Sequence, residues 1–209
     1  MSPHLAFEQA AWARGARFVV GMDEVGRGPL AGPVTAAAVV LDRTCIPDGL
    51  DDSKKLSAKR RMSLAQQIHQ TAQVAIVHVG VEEIERLNIL HASQLAMARA
   101  LSLLAQEPDF ALVDGNRLPP DLPCAAQTVV GGDALCLSIA AASIVAKVAR
   151  DSLMVDLAQQ HPGYGWERNA GYPTPEHKLA LQNLGITPHH RRSFAPVRNI
   201  LYQVKTPSA

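Results

Sequence analysis

Four acidic positions stand where an apolar run gives way to a turn: the pair Asp23-Glu24 after FVVGM, Asp114 in LVDGN, and Asp133 in VVGGD. Strand ends suit chemistry, because a rigid scaffold there aims side chains into a cleft. Carboxylates gathered in one place repel one another unless cations neutralise them, and a hard divalent ion does so while leaving positions for water and phosphate. No CxxC or HExxH accompanies these acids, so Mg²⁺ or Mn²⁺ fits them better than zinc. Taken singly, each acid has a plainer explanation. Asp is a common turn former, and Asp133 could be the N-cap of the helix that follows.

The neighbours of the acids strengthen the chemical reading. Gly26, Arg27 and Gly28 follow the first pair after Val25; glycines let the backbone approach a ligand, and the loop could offer N–H groups and a guanidinium to an anion or a sugar hydroxyl. Ser53 and Lys54, in DDSKKLS, stand just before a helix and could bind phosphate. Ser143 and Lys147 are spaced i,i+4 on one face of an Ala-rich helix, with Arg150 close to the same face. The plain alternatives are a flexible turn, a capped helix start and surface decoration. Ser138 lies about 140° round the helix from Ser143 and serves a different contact.

The elements that must position these residues read as strands over 18–22, 34–41, 74–79, 110–113 and 127–130, and as helices over 57–70, 90–106, 134–160 and 175–184. Early strands have short or irregular connections, whereas later ones alternate with long helices. That order predicts an α/β fold with a mixed five-stranded sheet, antiparallel at first and parallel later, flanked by helices. Gly, Pro and polar residues thicken from Tyr164 onward, marking a cap or extension wrapped on the core.

Composition narrows the function. The chain has 209 residues, 47% hydrophobic, 19% charged and 4% aromatic. Few aromatics argue against a series of stacking platforms for single strands. The formal net charge is +1, but from Ala140 onward eight Lys/Arg face four Asp/Glu, with His161, His177, His189 and His190 in addition. Local rather than global charge must carry any nucleic-acid reading. Cys45, Cys124 and Cys136 form neither a disulfide framework nor a zinc pattern. With no membrane-spanning run and no secretory signal, a cytoplasmic protein acting as a monomer is expected. Lys205-Thr206-Pro207-Ser208-Ala209 hold no aromatic or apolar anchor for a partner.

The stretches MDEVGRGPLAGPVTAAAVVL, DDSKKLS, VDGN, GGDALCLSIAAASIVAKVARD, GYPTPEH and HHRRSFAPV, in order and spacing, resemble the bacterial type 2 ribonucleases H, the ribonuclease HII family. The resemblance covers about Val20 to Val197. It implies a ribonuclease H-like catalytic core over residues 1–160 and a helical C-terminal substrate-binding extension over 161–209. It also implies that Asp23, Glu24, Asp114 and Asp133 hold two divalent metal ions, Mg²⁺ or Mn²⁺. By the same resemblance Gly26, Arg27 and Gly28 sense the ribose 2′-hydroxyl, and Tyr172 packs on the sugar at an RNA-to-DNA junction. Ser53, Lys54, Ser143 and Lys147 become phosphate-backbone contacts. The implied substrates are RNA-DNA hybrids and duplex DNA carrying single ribonucleotides. Where the family commonly has His-Lys before the Gly-Tyr, this chain has Asn169-Ala170, so a basic contact is missing there. The related type 3 enzymes carry an N-terminal substrate-binding domain, for which there is no room before Phe18. Two other classes stay open: a non-catalytic binder of hybrids, expected to lack one of the four acids, and a metal-dependent phosphatase, which has no need of the basic extension.

Overall fold

The computed structural model describes residues 2–203, so the C-terminal Lys205–Ala209 stretch lies outside the described residues. Five strands, β1 (Val19–Val25), β2 (Val34–Leu41), β3 (Ala72–Val79), β4 (Phe110–Asp114) and β5 (Ala125–Val129), form one sheet in the order β3-β2-β1-β4-β5. The β1-β2 and β2-β3 pairs are antiparallel, and β1-β4 and β4-β5 are parallel. This is the mixed sheet expected from the connections. All eight residues of β2 are buried, which explains its unbroken apolar run: a strand covered on both faces has no polar side to show.

Helices α1 (Ala6–Ala13), α2 (Ala58–Thr71), α3 (Val81–Leu87), α4 (Ile89–Ser102) and α5 (Leu137–Gln160) flank the sheet. α4 supplies Ala92, Ala96, Met97 and Ala100 to a core on one face with Val20 and Met22. α2 and α5 supply Leu64, Ile68, Ala141 and Ile144 to a core on the other. Ser57 caps α2 by accepting from the Arg60 N–H, as its sequence position predicts. α5 lies so close to β1 that a Cβ on Gly21 would fall 2.1 Å from the Ser138 carbonyl carbon. Its alanines make that approach possible, since Ala140, Ala141, Ala142 and Ala146 are all buried.

The far half of α5 leaves the sheet and joins a separate apolar cluster. Met154 and Ala158 there meet Leu30 and Ala31 from the loop after β1, and Trp166, Leu181 and Val197 from α6 (Trp166–Asn169), α7 (Pro175–Leu184) and α8 (Ala195–Gln203). One helix therefore ties the late segments to the loop that follows Glu24.

Several elements differ from the sequence reading, the helices most. The helix expected over 90–106 is α4, Ile89–Ser102, and an unforeseen helix, α3, precedes it; the two meet at Asn88, whose φ of +66° suits Asn and whose side chain caps α4 through the Leu90 and His91 N–H groups. The helix expected from 134 begins at Leu137, because Gly132–Ala134 is a 3₁₀ turn. α1 was not foreseen: its Glu8 is buried and accepts from the Ser138 N–H at 2.7 Å, so it caps α5 from a segment remote in sequence. Among the described residues no helix is long and apolar enough to cross a membrane.

Gly21→Ala is expected to cost about 1–3 kcal/mol or more, since the backbone of α5 must move to admit one methyl group. Thermal unfolding should show the melting temperature fall by several degrees; an unchanged value would mean that α5 does not press on β1.

Candidate active site

β1, β4 and β5 run parallel, so their C-terminal ends share one edge of the sheet. Asp23 and Glu24 stand near the end of β1, Asp114 is the last residue of β4, and Asp133 follows β5 in the 3₁₀ turn. The structure thus brings all four predicted acids to one edge. Side chains alternate along a strand, so Asp23 shares the α5 face with Gly21, whereas Glu24 shares the α4 face with Val20 and Met22. Glu24 and Asp114 line a cleft of about 410 Å³ with Arg27, Asn116 and Arg117.

The charges in this cluster oppose one another. Asp23, 5% exposed, has its pKa raised well above the usual aspartate value, first by burial and then by the charges of Asp114 and Glu24. Burial also raises Glu24, against the opposing pull of Arg27. Burial and the Asp133 charge raise Asp114, whose bond to the Gly132 N–H works the other way. The protein answers with single donors. Arg27 donates to Glu24 at 3.2 Å, Lys54 to Asp133 at 3.1 Å, and the Gly132 N–H to Asp114 at 2.7 Å. Burial lowers the Lys54 pKa, but Asp133, Asp52 and Asp23 together leave it raised.

The donor set fits a divalent metal. Four hard carboxylates lie at one edge with excess negative charge, and among the described residues two cationic side chains, Arg27 and Lys54, pair with them; such a donor set suits Mg²⁺ or Mn²⁺. Among the described residues no three His, Cys, Asp or Glu side chains converge tightly enough to form a ready-made cage.

The other predicted residues fall close by, several in unforeseen roles. Ser143 on α5 donates to Asp23, lowering its pKa, and its Oγ lies 2.9 Å from that of Ser53. Both serines are buried, so Ser53 holds the Ser143 hydroxyl in place beside Asp23. Lys147 pairs with Asp151 at 2.7 Å. The loop of Gly26, Arg27 and Gly28 follows Glu24 after Val25, the last residue of β1, with Arg27 and Gly28 exposed. A Cβ on Gly28 would touch the Tyr172 ring at 3.4 Å, so Tyr172, 39% exposed, stands beside that loop. Its carbonyl is held at 3.0 Å by His177 Nδ1, while His177 Nε2 lies 3.0 Å from Trp166 Nε1. Indole only donates, so His177 must accept at Nε2 and donate at Nδ1. Asn169 is buried and bonds the Tyr164 carbonyl and the Gly171 N–H; at the position where a basic contact is missing, it orders the turn that carries Tyr172.

The basic C-terminal region needs a correction. Arg150 and Arg191 are fully buried, as are His177 and His190, and Arg168 is paired with Glu167 and Glu176. Only Lys178, Arg192 and Arg198 of that group are exposed and without an ion pair among the described residues. Charge alone reads as surface. The partners of Arg150 and Arg191 are backbone carbonyls, which leave no mark in a sequence.

Comparison with known proteins gives the family. Residues 20–197 match the family model described as Ribonuclease HII. The chain is 66% identical over 204 residues to a ribonuclease HII of Paracoccus denitrificans, covering 98% of this chain and 97% of that one. It is 66% identical over 201 residues to one of Cereibacter sphaeroides, covering 96% and 95%. Among solved structures it resembles the ribonuclease H2 of Pyrococcus horikoshii, with TM-score 0.79, 26% identity, and coverage of 91% of this chain and 100% of that one. It also shares the fold of Bst-RNase HIII, solved in complex with Mn²⁺, at TM-score 0.72 and 21% identity, covering 97% and 75%. With a strand-end carboxylate cluster, a glycine-flanked loop beside it and matches of this extent, the chain belongs to the ribonuclease HII family and is a ribonuclease H, a hydrolytic endonuclease acting on nucleic acid.

Proposed function

We propose that the enzyme cleaves the phosphodiester bond on the 5′ side of a ribonucleotide, in RNA-DNA hybrids and at single ribonucleotides in duplex DNA, leaving a 3′-hydroxyl and a 5′-phosphate. The observation that carries this reading is four carboxylates at one edge beside a Gly-Arg-Gly loop whose Arg27 and Gly28 are exposed and whose Gly28 stands against the Tyr172 ring. Asp23, Glu24, Asp114 and Asp133 would hold two divalent ions, Mg²⁺ or Mn²⁺. When bound, such ions lower the pKa of the attacking water and neutralise charge on the phosphate and the leaving oxygen.

The protein's own residues do the selecting and positioning. Gly26, Arg27 and Gly28 receive the 2′-hydroxyl, the one group that tells ribose from deoxyribose. When deoxyribose occupies the site, the polar groups of the loop stay unpaired, and that mismatch disfavours the wrong sugar. Tyr172 packs against the sugar at the junction. Lys54 and Lys147, with Ser53 and Ser143 beneath, face the phosphate backbone, which fixes register but carries no sequence information. In this reading Lys54 exchanges Asp133 for phosphate when ions neutralise the cluster. Residues 161–209 act as a substrate-binding extension on a catalytic core of residues 1–160. The enzyme works as a cytoplasmic monomer that removes misinserted ribonucleotides and hybrid RNA.

The direct test compares a duplex containing one ribonucleotide with an all-DNA duplex, each with Mg²⁺ and with EDTA. Cleavage is expected only of the first and only with Mg²⁺; cleavage of both, or of the first in EDTA, refutes the reading. Tyr172→Ala should reduce cleavage at a single embedded ribonucleotide more than within a long RNA tract, and equal losses would remove its junction role.

Asp23→Asn should abolish cleavage and yet stabilise the metal-free fold. The raised folded pKa of Asp23 means that stability is fullest below the ordinary aspartate value and falls as pH rises through the raised one. The variant's melting temperature in EDTA should therefore exceed wild type by about 2–4 °C near neutral pH, what ~1 kcal/mol amounts to in a chain of this size. The gap should close on acidification. A variant less stable than wild type at neutral pH would contradict the repulsion described for the cluster.

A further inference from the structure

Two guanidiniums lie buried under the loop that follows Glu24, and no carboxylate pairs with either among the described residues. Arg150 donates to the carbonyls of Pro33 at 2.9 Å, Ala31 at 3.1 Å and Ala170 at 2.9 Å. Arg191 donates to Gly26 at 2.6 Å, to Arg27 at 3.0 Å, and twice to Gly32, at 3.0 and 2.9 Å. The Arg191 backbone N–H takes the Leu30 carbonyl as well. Burying a charge is expensive unless it is fully hydrogen-bonded, so the cation dictates where these carbonyls point. Burial first, and Arg150 second, depress the Arg191 pKa to about 9, which leaves it charged at neutral pH.

The direction of the carbonyls fixes the direction of the amides. Among the described residues there are no cis peptide bonds, and in a trans peptide the C=O of one residue and the N–H of the next point opposite ways. Drawing the Gly26 and Arg27 carbonyls inward turns the Arg27 and Gly28 N–H groups outward. Neither N–H makes a hydrogen bond among the described residues, and both residues are exposed, with Tyr172 beside Gly28. Gly26 is required here for two reasons. Its φ is +93°, and a Cβ would fall 2.2 Å from Arg150 Nε, so its backbone rests directly on the second guanidinium.

We infer that Arg191, seated beside Arg150, is a positioning residue for ribose selection: by gripping the Gly26 and Arg27 carbonyls it aims the Arg27 and Gly28 N–H groups at the 2′-hydroxyl. The inference rests on the reading of this loop as the ribose sensor. It assigns discrimination to a side chain that never touches the substrate. Lysine cannot replace it, because a single ammonium lacks the planar fork that reaches three carbonyls at once.

The test is Arg191→Lys in the full chain with Mg²⁺, scored on two readouts. One is kcat/KM for a duplex with a single ribonucleotide; the other is the inhibition constant of an all-DNA duplex used as competitor. A positioning role predicts a loss of about 10- to 100-fold in the first, the size expected when polar groups lose their partners, with less than a two-fold change in the second. Equal losses in both, or no loss in kcat/KM, overturn the inference. If wild type itself fails to distinguish the two duplexes, it is the loop reading that falls instead. Should the variant fail to fold, amide hydrogen exchange on wild type decides. The Arg27 and Gly28 amides should exchange fast in the free protein and be slowed, in EDTA, by the ribonucleotide duplex but not by the all-DNA one. Amides already protected in the free protein, or slowed equally by both duplexes, overturn the inference.

Discussion

Repulsion among four carboxylates at one edge of the sheet is the constraint that the rest of the site answers. Parallel pairing of β1, β4 and β5 carries Asp23, Glu24, Asp114 and Asp133 to the same edge, and close packing of α5 on β1 buries Asp23. A buried charge among like charges is unstable by itself. The donors that meet it are few and individually weak: Ser143, Arg27, Lys54 and the backbone N–H groups of Glu24 and Gly132. Exposed pairs such as that of Lys54 contribute little. The site is thus held in a state that hard divalent ions would relieve, and that the phosphates of a nucleic acid could approach only once they had done so.

A second set of buried charges works in the opposite sense. Arg150 and Arg191 have carbonyls rather than carboxylates for partners, so their effect is on the backbone of the loop and not on the charge of the acids. α5 joins the two sets. Its first half carries Ser143 toward Asp23, and two and three turns later Arg150 and Met154 reach under Gly26 and Gly32. A rigid 24-residue helix therefore fixes the spacing between the carboxylate edge and the loop, which under the proposed function is the spacing between scissile phosphate and ribose.

Much of this was legible in the residues and some was not, for physical reasons. The apolar run of β2 and the alternation of late strands with helices announce a two-sided mixed sheet, because burial on both faces suppresses polar residues. The acids were legible because Asp at the end of an apolar run marks a strand end. The cap that α1 gives α5 was hidden, since Glu8 and Ser138 meet only through the tertiary fold. Asn88 was a signal passed over: Asn tolerates a positive φ and caps helices, so RLNILHAS could have been read as a break. The buried arginines misled most, because a sequence shows charge but not the carbonyls that receive it. Of eight basic residues counted toward a nucleic-acid surface, two are interior supports.

The central claim is that the carboxylate edge is incomplete without divalent cations. The most direct measurement is the melting temperature of wild type as Mg²⁺ or Mn²⁺ is raised against KCl of equal ionic strength. Ions that bind the folded state alone stabilise it by RT ln(1 + [L]/Kd), so the account predicts a rise with either divalent ion that KCl does not reproduce, and that Asp23→Asn diminishes. Identical melting curves in divalent salt and KCl would contradict it.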